Sequence, residues 1–346
     1  MDTIPPELIV PIVESIPEDD PESLRNLALA AWRFTEPCQR QLFYQLSLQP
    51  GVGLGWSSSV SYVDAAAHLA AFPRLADYIK CLSVFLQTVL PTRDAAGDEI
   101  PALISVLERL QALIEVHILR GDLKELPAGL RAPLNHFIDR LLHANIPHFF
   151  LSTLSNTPVD LILRGMASCN IITLRLLDLK IEPTGLEYLE TGSPLAEGED
   201  PRLRALQLDS AVEIYPLLLH PRVQQYTEKL RKLGISEEDG NAMNEALSFA
   251  RLRAPTLEHF SLVCQTEVSN RNLTDAFPSH LPHLRELRVV FWNERLGPLR
   301  SGTCRGEEDV DLTDYIRQFI AAMRRDLSSA FTAGLQLVKW NGIQGD

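Results

Sequence analysis

Residues 257–264 read LEHFSLVC and residues 284–292 read LRELRVVFW. Both runs place apolar residues at the first, fourth and sixth positions, an L-x-x-L-x-L rhythm whose last part alternates. Alternation points every second side chain into a common core, as a half-buried strand does. The same rhythm, or an L-x-L-x-V variant, predicts strands at YIKCLSVFL (78–86), LIEVHILRG (113–121), VDLILRGM (159–166), ITLRLLDLK (172–180), LRALQLDS (203–210) and LQLVKW (335–340). Between these runs the apolar spacing changes to that of helices, at PALISVLERLQ (101–111), PLNHFIDRLLHAN (133–145), 213–234 and 313–331. Strands alternating with helices imply parallel strands joined by right-handed crossovers, hence an α/β fold.

Self-similarity at ~20–29 residues marks leucine-rich repeats. Leu257 and Leu284 stand one such interval apart, but the interval from Leu203 to Leu257 is twice as long, and a regular asparagine ladder is missing. The expectation for residues 49–346 is therefore an irregular leucine-rich-repeat-like solenoid, with a curved parallel sheet flanked by helices. Long insertions are expected at 87–100, 190–200 and 293–312. A sheet of this kind is an interaction surface by geometry. GVGLGWSSS (51–59) reads as the joint that precedes it. As a phosphate loop that stretch lacks a third glycine at dinucleotide spacing and an immediately following helix.

The stretch 1–48 has a different grain. In IPPELIVPIVESI (4–16), Leu8, Ile9, Ile12, Val13 and Ile16 form one apolar stripe at helical spacing. Pro5 and Pro6 suit a first helical turn, Thr3 suits the cap, and Pro11 predicts a kink or an irregular start. A second helix begins at Asp20-Pro21-Glu22 and shows Leu24, Leu27, Ala31 and Phe34 on one face. A third restarts near Pro37. Three short helices make a marginal core, so such a module tends to be bound by something.

Ile4-Pro5-Pro6-Glu7-Leu8-Ile9, followed by Ile12, Ile16, Leu24, Leu27 and the segment LALAAWRFTEPCQRQLF, resembles the F-box of the kind that mushroom-forming fungi carry in large numbers. Ala31, Trp32 and Phe34 depart from the usual Cys, basic residue and Trp. The resemblance implies a docking module at 1–48. Its helices would bind a Skp-type adaptor, and through it a cullin, by Ile4, Pro5, Pro6, Leu8, Ile9, Ile12, Leu24, Leu27 and Phe34.

Composition bounds the remaining possibilities. The 346 residues carry 45 acidic and 32 basic side chains, a net charge of −13. That average field repels a polyanion, so nucleic acid is not an expected partner. The five cysteines are scattered and form no C-x-x-C pair, which fits a reducing compartment without a zinc framework. No apolar run approaches the ~20 residues of a membrane span. MDTIPPELIV lacks the pattern of a signal peptide, so the expected setting is cytoplasmic, nuclear or both.

No G-x-S-x-G, Walker loop or H-E-x-x-H occurs. His280 and His283 have a metal-like spacing but no completing ligand. His136 and His143 read as one helix surface, and Ser236 to Gly240 as a helix start rather than a calcium loop. No catalytic residue, metal or cofactor is expected. Arg175, Arg202, Arg204, Arg285 and Arg288 flank several strands. They read either as ordinary solvated charges or as a phosphate pocket. The expected function is a non-catalytic subunit of a Skp–cullin–F-box ubiquitin ligase that presents a target protein. The alternative is a repeat-type interaction scaffold without a ligase.

Overall fold

The computed structural model describes residues 4–17, 20–51, 59–86, 96–144, 146–168, 171–183, 189, 202–237, 240–265, 278, 281–292 and 336–337. The chain is α/β and divides into two compact units, Met1–Phe150 and Leu151–Asp346. The first unit therefore contains the helical stretch 1–48 together with the first strands, and the division falls within β5 (His148–Thr157).

The first unit opens with α1 (Pro6–Glu14), α2 (Pro21–Ala30) and α3 (Trp32–Leu42). Asp20 caps α2 by accepting the Ser23 amide at 3.0 Å, with Pro21 at the first helical position, as its sequence predicts. Two expectations are corrected. Helix α1 runs through Pro11 rather than starting irregularly there. The third helix begins at Trp32 and passes through Pro37, because Ala31 is extended (φ −157°, ψ 136°) and turns the chain between α2 and α3. Ile9, Val13, Leu24, Phe34 and Cys38 close a small core, with Ile4, Ile16, Leu27, Ala28, Ala31 and Leu42 packed against it.

The strands of this unit are β1 (Gln45–Gln49), β2 (Val60–Ser61), β3 (Cys81–Phe85) and β4 (Glu115–Asp122), ordered β2-β1-β3-β4 and parallel. Between them lie α4 (Tyr62–Ala71), α5 (Leu75–Tyr78) and α6 (Ala96–Arg109), and β4 is followed by α7 (Ala128–His143). Residues 96–100, expected in an insertion, thus belong to α6. The rest of that insertion lies outside the described residues, as do the other two, residues 52–58 of the Gly/Ser joint, Thr3 and the helix expected at 313–331.

In the second unit β6 (Thr173–Ile181), β7 (Ala205–Asp209), β8 (Lys232–Glu237), β9 (His259–Gln265), β10 (Glu286–Trp292) and β11 (Gln336–Leu337) lie in that order, all parallel. Helix α8 (Val159–Ala167) precedes them, short helical turns fill Val212–Thr227, and a helix spans Gly240–Arg253.

Two elements correct the sequence reading. VDLILRGM is α8, not a strand: Val159, Leu161, Ile162, Leu163 and Met166 are all buried, so no periodicity separates helix from strand. The segment 213–234 is no single helix, because its last residues lead into β8. Leu230, Leu233 and Ile235 are buried there. They stand midway in sequence between the buried sets Leu203/Leu206/Leu208 and Leu257/Phe260/Leu262. The double interval is two ordinary ones, with one concealed repeat between them.

The same buried triplet begins four more strand units: Ile79/Leu82/Val84, Leu113/Val116/Ile118, Ile146/Phe149/Leu151 and Ile171/Leu174/Leu176. One residue past the first member, a carbonyl accepts two consecutive amides of the next unit. Arg204 O takes Arg231 and Lys232 at 2.9 and 2.8 Å, and Arg231 O takes Glu258 and His259 at 2.8 and 2.9 Å. The intervening helices bury a matching stripe, such as Leu103, Val106 and Leu107 on α6, or Met243, Ala246, Leu247 and Ala250. Strand side chains that alternate with the buried ones line the open face of the sheet.

Candidate functional site

Two surfaces have chemistry to offer, one on the first helices and one on the open sheet face. Of the nine residues expected to hold an adaptor, Ile9 (8% exposed), Leu24 (2%) and Phe34 (3%) are spent on the helices' own core, with Ile4 and Leu27 packed beside them. Pro5, Pro6, Leu8 and Ile12 face solvent; Leu8 and Ile12 lie one turn apart on α1. Leu29 and Trp32 are more exposed still, at 86% and 79%, and sequence reasoning passed them over. For Leu29 the signal was an apolar residue off the periodic face of α2, and for Trp32 a large aromatic at the first position of α3. Five of the thirteen large exposed hydrophobics of the described residues fall within positions 8–32.

On the open sheet face, register brings side chains from distant parts of the chain into rows. In the first unit Cys81 pairs with Glu115, and Ser83 with His117. The His117 ring lies 2.8 Å from Glu115 Oε1 through Nε2 and 3.3 Å from Ser83 Oγ through Nδ1. The His117 ring also packs against that of Phe150, centroids 4.8 Å apart and tilted by 54°. Cys81 is buried, and burial followed by the Glu115 charge pushes its thiol up to about 11.

Cys81, Glu115 and His117 are the group that could hold a metal ion among the described residues, their ligand atoms lying within 4.8 Å of one another. The donor set is one that zinc accepts. In this geometry both imidazole nitrogens of His117 are engaged, by Glu115 and by Ser83, and the Cys81 thiol beside them is pushed up by burial.

In the second unit one row reads Thr173, Ala205, Lys232, His259, Glu286 and the next reads Arg175, Gln207, Gly234, Ser261, Arg288. Together they line an open groove of about 390 Å³. Arg175, Lys232, Arg288 and Glu286 are exposed, and His259 Nδ1 lies 3.0 Å from Glu286 Oε2. Along the adjoining edge stand Arg204, Arg231, Glu258 and Arg285, where Glu258 meets Arg231 at 3.1 Å and Arg285 at 3.6 Å. The structure thus brings Arg175 and Arg288 into one groove with Lys232 and His259, which no sequence pattern joins to them. Arg204 and Arg285 stand at its edge, and Arg202 does not line it.

The remaining candidates stay apart. His136 and His143 are exposed on α7, and His283 is in an exposed turn, with His280 outside the described residues. Ser236 to Gly240 leads into a helix, as expected. Its Glu237 is 1% exposed and accepts the Ala211 amide at 2.9 Å and the Tyr215 hydroxyl, so it braces the turn after β7. Burial, then the Glu237 charge, pushes the Tyr215 phenol far up. No described helix is long and apolar enough to cross a membrane. No protein-family model matches the chain, and no curated protein matches it.

Proposed function

We propose that the chain is a non-catalytic substrate-recognition subunit of a Skp–cullin–F-box ubiquitin ligase, working in the cytoplasm, the nucleus or both. In this reading α1 to α3 are an F-box that docks a Skp-type adaptor. The strand–helix units form a leucine-rich-repeat-like solenoid that holds a target protein. Such a subunit does no covalent chemistry; it raises the effective concentration of a target lysine beside the transferring enzyme.

One observation carries the reading. The helical module fills its own core with Ile9, Val13, Leu24, Phe34 and Cys38, yet leaves Leu8, Ile12, Leu29 and Trp32 in solvent beside exposed Pro5 and Pro6. Helices that merely capped a solenoid would spend those side chains on the solenoid. Burying a leucine or isoleucine contributes roughly 1.5–3 kcal/mol, so a partner covering this surface gains substantially.

The test is capture of purified Skp-type adaptor by the full chain and by Leu8→Asp/Ile12→Asp. Both positions are exposed, so the variant folds, whereas a charge at Ile9 would break the module's core. Capture by the parent and not by the variant supports the reading. Capture by neither overturns it and leaves a repeat-type scaffold, and equal capture by both removes α1 from the contact.

A further inference from the structure

We propose that the open sheet face of the second unit binds an extended acidic segment of a partner protein, laid across β6 to β10. The inference rests on reading the strand–helix units as the target-holding part of the chain. It adds what that target presents.

The argument begins with charge. In a chain of net charge −13, the groove and its edge gather Arg175, Lys232, Arg288, Arg204, Arg231 and Arg285, with Glu258 and Glu286 as the carboxylates among the described residues that line them. Glu258 is shared between two guanidinium groups, and Glu286 faces His259. Guanidinium is the side chain best suited to grip a carboxylate or phosphate with two hydrogen bonds.

The shape points the same way. Arg175 and Arg288 stand at the two ends of one row, with Gln207, Gly234 and Ser261 between them. Neighbouring strands are ~4.8 Å apart, so four intervals separate the two arginines by roughly 19 Å. An extended chain at ~3.3 Å per residue covers that span with about six residues. The floor between is low, for Ala205 and Gly234 rise little above the backbone. Gly234 needs no conformational licence; a Cβ there would stand 3.5 Å from Gln207 Cγ, ordinary contact. The glycine leaves space for a ligand rather than relieving a clash.

A short acidic segment fits this face better than a nucleic acid. Beyond the groove, toward the strand ends, the sign reverses at Asp178 and Asp209, and the whole chain repels a long polyanion.

The experiment uses the full chain and fluorescent Gly/Ser peptides carrying glutamate pairs separated by about five residues. A phosphoserine version and a lysine version accompany it. The expected result is binding of the acidic peptides, rejection of the lysine peptide, and affinity weakened about tenfold or more in Arg175→Glu/Arg288→Glu. Arg74→Glu/Lys124→Glu, the same charge change on exposed residues of the first unit, leaves affinity unchanged. The tighter of the glutamate and phosphoserine arms names the anion.

Equal weakening in both variants, binding of no acidic peptide, or tighter binding of a single-stranded oligonucleotide overturns the proposal. Adaptor capture by Arg175→Glu/Arg288→Glu is expected to equal that of the parent. A failed groove and a failed ligase reading are therefore told apart.

Discussion

Two residues past the first buried apolar side chain of each strand, the first unit carries Cys81 and Glu115, and the second carries Thr173, Ala205, Lys232, His259 and Glu286. Two residues further on stand Ser83 and His117 in one unit, and Arg175, Gln207, Gly234, Ser261 and Arg288 in the other. The backbone positions are equivalent and the chemistry is opposite. In the first unit the polar groups satisfy one another: imidazole to carboxylate and hydroxyl, with an aromatic ring alongside. In the second, exposed Arg175, Lys232 and Arg288 share a groove with Ala205 and Gly234. Buried triplets build the strands alike in both units, and the residues that alternate with them are where the two faces differ.

Substitutions inside and outside the triplets test this division most severely. Leu208→Ala, at a position with no exposure, is expected to lower the free energy of urea unfolding by about 2–5 kcal/mol. Gln207→Ala, its neighbour on the open face, is expected to stay within ~0.5 kcal/mol. Equal losses would mean that the face is structural.

His117→Ala is expected to cost about 1–3 kcal/mol, since it leaves Glu115 and Ser83 without their partner in a half-buried cluster. His259→Ala removes a more open pair with Glu286, whose side chain is 60% exposed, and is expected to cost less than about 1 kcal/mol. Chemical unfolding of both variants ranks them, and a reversed order would undo the contrast between the two faces.

A pH dependence separates a bracing carboxylate from those in solvent. Glu99 of α6 accepts the Gly51 amide at 3.0 Å, and burial, partly offset by that bond, raises its pKa above the ordinary 4.5. The folded state then holds this proton more tightly than the unfolded chain. Its stability contribution is full below pH 4.5 and is lost as pH rises through the folded value. Glu99→Gln is expected to keep the hydrogen bond and flatten the decline in melting temperature as pH rises from the ordinary 4.5 toward neutrality. A decline as steep as the parent's would assign it to other groups. A small, salt-dependent effect is expected for Arg231→Ala, which removes an ion pair whose arginine is 58% exposed. It should change unfolding free energy by less than about 1 kcal/mol at low salt and by nothing measurable in high salt.

Strand-forming runs were legible wherever a triplet stood against polar neighbours, as at 203–210 and 257–264. LRKLGI (230–235) escaped because charged Arg231 and Lys232 and the small Gly234 left no continuous apolar run, and helical spacing upstream ran into it. HFFLSTLSNT (148–157) escaped because Ser152, Thr153 and Ser155 interrupt it, and VDLILRGM misled because it is apolar throughout. On the first helices the stripe of apolar residues was legible, but not its division. Leu8 and Ile9 are adjacent and chemically alike, and only packing against Leu24 and Phe34 turns Ile9 inward.

By itself the sequence determined the alternation of strands and helices, the Asp20 cap and the proline starts of α1 and α2, and the excess of negative charge. These depend on local spacing and local chemistry. Tertiary structure alone decided that one repeat hides at Leu230. It also decided which member of an apolar pair meets solvent, and that Arg175 and Arg288, far apart along the chain, share a groove. Parallel register sets those distances, and register follows from how crossovers pack rather than from any residue's own preference.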